Sequence, residues 1–304
     1  MDLPSKRTAA LSAAALVLLV SCAGSAGPQA NAKSSPSLRT GLSGTAYIIL
    51  DDRIRDFDVF KLDLASLATE RITMDVLASS IASSGEHVVV SAARGESSDP
   101  SGGDRIYRLT GTGLSPFASG PLDGTGPTVS AKGLVAFSPY GEDGAMIDQI
   151  DTFDPRTSQR RTILSDPGTV WGDMDFASSD LVIVRPRGTG GDLLRVRDSG
   201  KQSVIFTSTL PLGTVRATKT QVAVLIRTPG DALPQIQILG IDGRRTGLIS
   251  GWRLLDWSPD GSGLLLTRDK VLAYAPRDSL VPRILGTLDA TPRSGAWLAR
   301  PIQG

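Results

Sequence analysis

The stretch Trp257-Ser258-Pro259-Asp260-Gly261-Ser262-Gly263-Leu264-Leu265-Leu266 has the sequence of a tight turn between two β-strands. Trp257 ends one strand, and Leu264 begins an apolar run that suits a second strand. Pro259 presets the φ angle of the turn, and Gly261 accepts a positive φ that other residues adopt only at a cost. The stretch therefore predicts a β-hairpin.

Similar apolar runs recur along the chain, and each predicts a buried strand. The runs begin at Tyr47, Val88, Leu134, Leu181, Val222 and Leu264. The steps between these first residues are 41, 46, 47, 41 and 42 residues. Each run is followed by an often alternating strand, and in several units a more polar strand comes next. A unit of this length with several short strands has the size of one β-propeller blade.

The segment Trp257–Gly261 resembles the WSPDG/FSPDG element of TolB-type and related WD-like β-propeller repeats. In the other units the resemblance rests on spacing and apolar runs. It implies an all-β, six-bladed propeller, which we place at residues 44–304. The main alternative is a pair of β-sandwiches, because irregular blades can imitate sandwich strands. TolB proteins also have an N-terminal α/β domain, which this sequence does not predict, and they are soluble. These departures argue against a Tol-type role.

The two ends of the repeat region indicate how the ring closes. Ser294–Ala299 forms one more apolar segment after the sixth unit, and Trp297 lies 40 residues after Trp257. The first unit, in contrast, begins almost directly at its second strand, residues 45–50. We therefore predict that the C-terminal strand is the innermost strand of the first blade, which pairs two sheet edges that would otherwise be free.

The N-terminal residues have the layout of a lipoprotein leader. Lys6 and Arg7 precede an apolar run, and Leu19-Val20-Ser21-Cys22 resembles the lipobox of bacterial lipoproteins. The resemblance implies that residues 1–21 are a signal peptide and that Cys22 carries the lipid. The alternative is an ordinary signal peptide that happens to contain a cysteine. Residues 22–43 have the composition of a flexible linker. We expect a lipid-anchored protein on the extracytoplasmic side of the cell membrane.

Charge and composition narrow the classes of partner and chemistry. The formal net charge is +1, and we expect no nucleic-acid partner. The single cysteine and the single histidine, His87, exclude disulfides and a histidine-rich metal site. The acidic clusters lack the regular ligand spacing of calcium loops, and we read them as solvated loops. We predict a monomer with no catalytic residues, no metal ligands and no cofactor.

All four tryptophans fall between the fourth strand of one unit and the turn of the next. We expect Trp257 and Trp297 to pack between blades. Trp171 and Trp252, with Asp173 and Arg253 beside them, are predicted to line one mouth of the central channel and to bind a ligand or partner. A purely structural role for all four rings is the alternative.

The function expected from these features is a non-catalytic binding or scaffold module for a cell-envelope protein or a small ligand. The alternative is a six-bladed propeller enzyme of the lactonase or sugar dehydrogenase type, with an Asp-based cation or quinone site in the channel. Those sites use a convergent set of Glu, Asn, Asp or His side chains. The chain has only four Glu, one His and one Asn, Asn31, which lies in the linker.

Overall fold

The computed structural model describes residues 40–51, 57–73, 76–94, 103–141, 145–230 and 233–302. The predicted signal peptide, most of the predicted linker and the predicted lipidation site Cys22 lie outside the described residues. In the described part the chain forms 24 strands and no helix. That part therefore contains no helix that could cross a membrane.

The strands follow one another along the chain with short connections. The first twelve are β1 (Thr45–Asp51), β2 (Val59–Asp63), β3 (Thr69–Arg71), β4 (Val76–Ser84), β5 (His87–Arg94), β6 (Arg105–Thr110), β7 (Gly113–Ser115), β8 (Leu122–Val129), β9 (Val135–Pro139), β10 (Gln149–Asp154), β11 (Gln159–Ser165) and β12 (Met174–Ala177). The others are β13 (Asp180–Arg187), β14 (Gly190–Val196), β15 (Gln202–Ser208), β16 (Leu212–Ala217), β17 (Gln221–Ile226), β18 (Gln235–Gly240), β19 (Arg245–Ser250), β20 (Arg253–Trp257), β21 (Gly263–Arg268), β22 (Val271–Pro276), β23 (Arg283–Thr287) and β24 (Thr291–Leu298).

These strands form the six blades of a β-propeller, each an antiparallel sheet of four. Blade 1 has the strand order β24-β1-β2-β3, and blades 2 to 6 take β4 to β23 in chain order, four strands each. Blades 2 and 3 are continuous, because β8 also pairs with β6 through Arg105 and Ile106. The prediction of six blades is confirmed, and the alternative of two sandwiches is wrong.

The C-terminal strand closes the ring as predicted. β24 pairs antiparallel with β1, with Leu298 opposite Thr45 and Trp297 opposite Ala46. It is therefore the innermost strand of blade 1, and the ring is held by backbone hydrogen bonds between the two ends of the repeat region.

The turn that starts the repeat is held by its own side chains. The Ser258 hydroxyl donates to Asp260 Oδ1 over 2.7 Å and accepts from the Gly263 N–H over 3.0 Å. Gly261 has a φ of 70°, which is the left-handed conformation that the turn requires. The predicted hairpin forms between β20 and β21, with Trp257 opposite Leu264.

The hydrophobic core is divided into six clusters, one in each interface between neighbouring blades. The second strands are apolar throughout because both of their faces are buried. In β21, Leu264 and Leu266 pack against blade 5, whereas Leu265 packs against blade 1. The fourth strands are largely exposed, which explains their polar composition.

Candidate functional site

The innermost strands of the blades, β24, β4, β8, β12, β16 and β20, surround the central channel. At one level of the channel these strands place six residues side by side, as shown by their pairing with the second strands. We call them the channel ring: Ala82, Thr128, Asp175, Arg216, Asp256 and Ala296. The channel ring thus contains two carboxyl groups and one guanidinium; Asp175 and Arg216 are buried, and Asp256 is half-buried.

Asp175 links three consecutive blades. Its Oδ1 accepts hydrogen bonds from the Thr128 hydroxyl and from the Phe176 N–H, both at 2.8 Å. Its Oδ2 accepts from the Ala217 N–H at 2.7 Å. The carboxyl group therefore holds β8, β12 and β16 together at the channel wall.

Asp256 has the same role where the ring closes. Its Oδ1 accepts from the Trp257 N–H at 2.8 Å, and its Oδ2 accepts from the Trp297 N–H at 2.6 Å. The second bond joins blade 6 to the closing strand β24. Trp257 adds a bond to blade 5, because its indole N–H donates to the Arg216 carbonyl over 3.1 Å.

Arg216 provides the positive charge of the channel ring. Its Nη1 donates to Asp173 Oδ2 over 3.0 Å, and its Nε donates to the Leu255 carbonyl over 3.1 Å. Asp173 Oδ2 also accepts from the Val215 N–H at 3.0 Å. One buried arginine therefore connects blades 4, 5 and 6.

Burial dominates the acid–base properties of this network. It raises the pKa of Asp175 to about 6 and that of Asp256 to about 7, although the charge of Arg216 opposes both shifts. Burial also opposes the charge of Arg216, but the surrounding carboxylates outweigh it and raise the pKa of the guanidinium. In the described residues, no group of three or more His, Cys, Asp or Glu side chains is arranged to hold a metal ion.

The channel opens into a cavity at each end. The strand-end mouth, about 490 Å³, lies where the innermost strands end and is lined by turn residues such as Lys219, Asp260 and Arg277. The strand-start mouth, about 640 Å³, lies where these strands begin, and its charged lining residues are Asp173, Arg216, Arg227 and Arg293. Arg216 is paired with Asp173 and Arg293 with Asp51, so the net positive charge of the strand-start mouth is carried by Arg227.

The structure separates the four residues that the sequence grouped as a binding site. Trp171 and Asp173 line the strand-start mouth, but Trp171 is only 6% exposed and packs between blades 3 and 4. Trp252 is buried between blades 5 and 6, with the Arg268 guanidinium 4.6 Å from the centre of its ring. Arg253 is exposed at the start of β20 and does not line that cavity. The four residues therefore do not line one cavity, because both rings are buried between blades, and the binding role of these residues stays a prediction.

Two exposed arginines complete the strand-start mouth, and of these Arg227 was not identified from the sequence. Arg227 follows β17. A hydrogen bond from its N–H to the Pro211 carbonyl, at 2.8 Å, holds its backbone at the mouth. Its Nε packs against Gly213, where a Cβ would lie only 3.0 Å away. Arg293 pairs with Asp51 and lies over the Phe57 ring at 4.5 Å. The spacing of the repeats carries no signal for Arg227, because it lies on a loop outside the innermost strands.

The fold is similar to known propellers, although no protein-family model and no curated protein matches the sequence. TolB from Acinetobacter baumannii is 14% identical, with a TM-score of 0.64 over 84% of this chain and 67% of that one. A chain of the nidogen/laminin complex is 11% identical, with a TM-score of 0.61 over 85% of this chain and 100% of that one. An oligogalacturonate lyase in complex with manganese is 17% identical, with a TM-score of 0.50 over 82% and 75%. At these identities the likeness shows the fold alone.

Proposed function

We propose that this propeller is a non-catalytic binding module, anchored by lipid on the extracytoplasmic side of the cell membrane, that receives its partner at the strand-start mouth. The partner is an envelope protein or a small ligand that presents an anionic group. The observation that carries the proposal is the electropositive lining of that mouth, built on a rigid ring of strands.

The chemistry of the mouth suits recognition. Arg227 and Arg293 are exposed at its rim, and Arg216 is buried at its floor. Val170, which is 56% exposed, adds apolar area beside these charges. Guanidinium groups bind carboxylates and phosphates through two parallel hydrogen bonds, which favours an anionic group on the partner.

The hydrogen bonds of the two channel carboxyl groups also support a binding function. Both oxygens of Asp175 and both oxygens of Asp256 accept hydrogen bonds from strands of the ring. These groups hold the blades together, as structural carboxyls do. The fold itself is compatible with either class, because the similar structures include both TolB and an oligogalacturonate lyase.

A reversal of charge at Arg227 should weaken binding without disturbing the fold. We expect Arg227→Glu to reduce capture of the native partner from membrane extracts by about tenfold, equivalent to about 1.4 kcal/mol. The melting temperature should change little, because Arg227 is exposed. Quantitative mass spectrometry of captured proteins measures the effect. Arg161→Glu on the outermost strand β11 is the matched control, and an equal loss with that variant would place the binding surface elsewhere.

The lipid anchor is tested at Cys22, the one cysteine of the chain. Cys22→Ala should leave uncleaved or soluble protein where the wild type partitions into detergent, since two acyl chains are needed for stable anchoring. Detergent partitioning and the intact mass of the mature protein are the measurements. A wild-type mass without acyl groups, together with unchanged partitioning of the variant, would contradict the proposal.

The second candidate function is an enzyme with a divalent cation in the channel, suggested by the similarity to the lyase solved with manganese. Titration of the purified protein with manganese and with calcium, followed by tryptophan fluorescence, separates the two functions. Saturable binding that Asp256→Asn abolishes would favour the enzyme.

A further inference from the structure

A third cavity lies between blades 2 and 3, apart from the channel. We call it the interblade pocket; its volume is about 470 Å³. Its lining comes from β5, β6, β8 and β9 and from neighbouring loops, and it shares no residue with the lining of either mouth. A cavity of this size falls within the usual range of small-molecule sites.

The pocket lies at an interface where one repeat position lacks an aromatic ring. In each blade, the residue that follows the channel ring faces the preceding blade. This position holds Trp257, Trp297 and Phe176 in blades 6, 1 and 4, and each ring is buried in its interface cluster. In blades 3 and 5 the same position holds the smaller residues Val129 and Ala217, and Val129 lines the interblade pocket. Valine is smaller than the indole rings of blades 1 and 6, and the cavity lies beside it.

The floor of the pocket is apolar and its rim is cationic. Val89, Phe117, Val129 and Val135 are between 1% and 3% exposed. The rim residues that line the pocket are exposed: Glu86, His87, Arg108, Lys132 and Arg156.

The cationic side chains of the rim differ in how they are held. Arg156 forms an ion pair with Asp154 at 2.8 Å. Arg108 and Lys132 are therefore the cationic side chains of the rim that can pair with an anionic ligand. Arg108 lies 5.8 Å from the centre of the Phe117 ring, which places a cation at the edge of the apolar floor.

We propose that the interblade pocket binds a small amphipathic carboxylate, whose apolar body takes the place of the missing interblade aromatic ring and whose carboxylate meets Arg108 and Lys132. This site is independent of the strand-start mouth. Apolar burial supplies the affinity, and the cations select an acid over a neutral molecule of the same shape.

Calorimetric titration with three probes tests the chemistry. 1-Naphthaleneacetate has both the apolar ring system and the carboxylate. Naphthalene-1-ethanol has only the ring system, and acetate has only the carboxylate. We expect the first to bind at least fivefold more tightly than the second, and acetate not to bind. Equal affinity for the alcohol, binding of acetate, or no binding of naphthaleneacetate up to millimolar concentration would overturn the proposal.

Two variants locate the site. Val129→Trp fills the pocket with the side chain that other blades have there, and it should abolish binding of naphthaleneacetate. The double variant Arg108→Glu with Lys132→Glu changes only exposed residues. It should weaken the binding of naphthaleneacetate at least tenfold and leave the affinity for the alcohol unchanged. If Val129→Trp does not fold, the double variant alone tests the location of the site. Arg227→Glu at the strand-start mouth should leave both affinities unchanged, so the two proposals fail separately; unchanged binding in the double variant would overturn this one.

Discussion

Removal of residues 291–304 should prevent the protein from folding to a cooperative native state. The deletion takes away β24, which pairs with β1 along its whole length and buries Ala296, Trp297 and Leu298. Loss of one buried tryptophan side chain alone typically costs about 3–5 kcal/mol, and the total stability of a domain is only about 5–15 kcal/mol. The deletion also leaves β1 as a free sheet edge and uncovers the apolar side chains of blade 2 that pack against Ala296 and Leu298. We expect aggregation, or a melting transition that is broad and far below that of the full chain.

A shorter deletion is the control for this experiment. Removal of residues 300–304 keeps β24 intact and loses the hydrogen bond from the Ile302 N–H to the Tyr47 hydroxyl at 3.0 Å, together with the packing of the partly buried Ile302. One such bond contributes about 0.5–1.5 kcal/mol, so this variant should still melt cooperatively. Circular dichroism and calorimetry measure both proteins. If the longer deletion melts as high and as sharply as the full chain, closure by β24 is not needed for stability.

The second large effect is expected at Arg216. Arg216→Met keeps the apolar stem but removes the charge that faces Asp173, Asp175 and Asp256. Removal of one partner from a buried ionic network typically costs about 3–5 kcal/mol, because the remaining charges are left uncompensated. We expect this loss at pH 8, measured by urea unfolding. Arg216→Lys keeps the charge without the forked geometry and should lose less.

The loss should depend on pH in a defined direction. The pKa values of Asp175 and Asp256, about 6 and about 7, are raised above the ordinary value of 3.8. The folded state therefore retains protons that the unfolded state releases, and these two groups make the protein less stable as the pH rises from about 4 to about 7. Arg216 lowers both pKa values, so its removal raises them further. The loss of stability caused by Arg216→Met should therefore be smallest near pH 4 to 5 and largest above pH 7.

The comparison with the wild type at two pH values is decisive. Carboxyl groups whose pKa is lowered, such as Asp260 beside the Ser258 hydroxyl, lose their contribution only as the pH falls below the ordinary value. They do not interfere between pH 5 and pH 8. An equal loss of stability for Arg216→Met at both pH values would show that the arginine acts by packing alone.

The sequence by itself determined the architecture. The spacing of the apolar runs predicted six blades, and the orphan segment Ser294–Ala299 predicted closure by the C-terminal strand. Both predictions are confirmed, because strands and turns depend on local properties such as alternation, Pro and Gly, and because those properties repeat along the chain. The repeat also predicted correctly that Trp257 and Trp297 pack between blades.

The tertiary structure alone decided which residues share a site. Asp175, Arg216 and Asp256 meet in the channel although each lies on a different blade, about one repeat apart. Trp252 is separated from Trp171 because the two rings pack in different interfaces, between blades 5 and 6 and between blades 3 and 4. Arg227 reaches the strand-start mouth from a loop, and the interblade pocket lies beside a valine where three other blades have an aromatic ring. A repeat pattern records how one blade is built, whereas each of these sites is formed by side chains from several blades, and their meeting depends on how the blades pack around the ring.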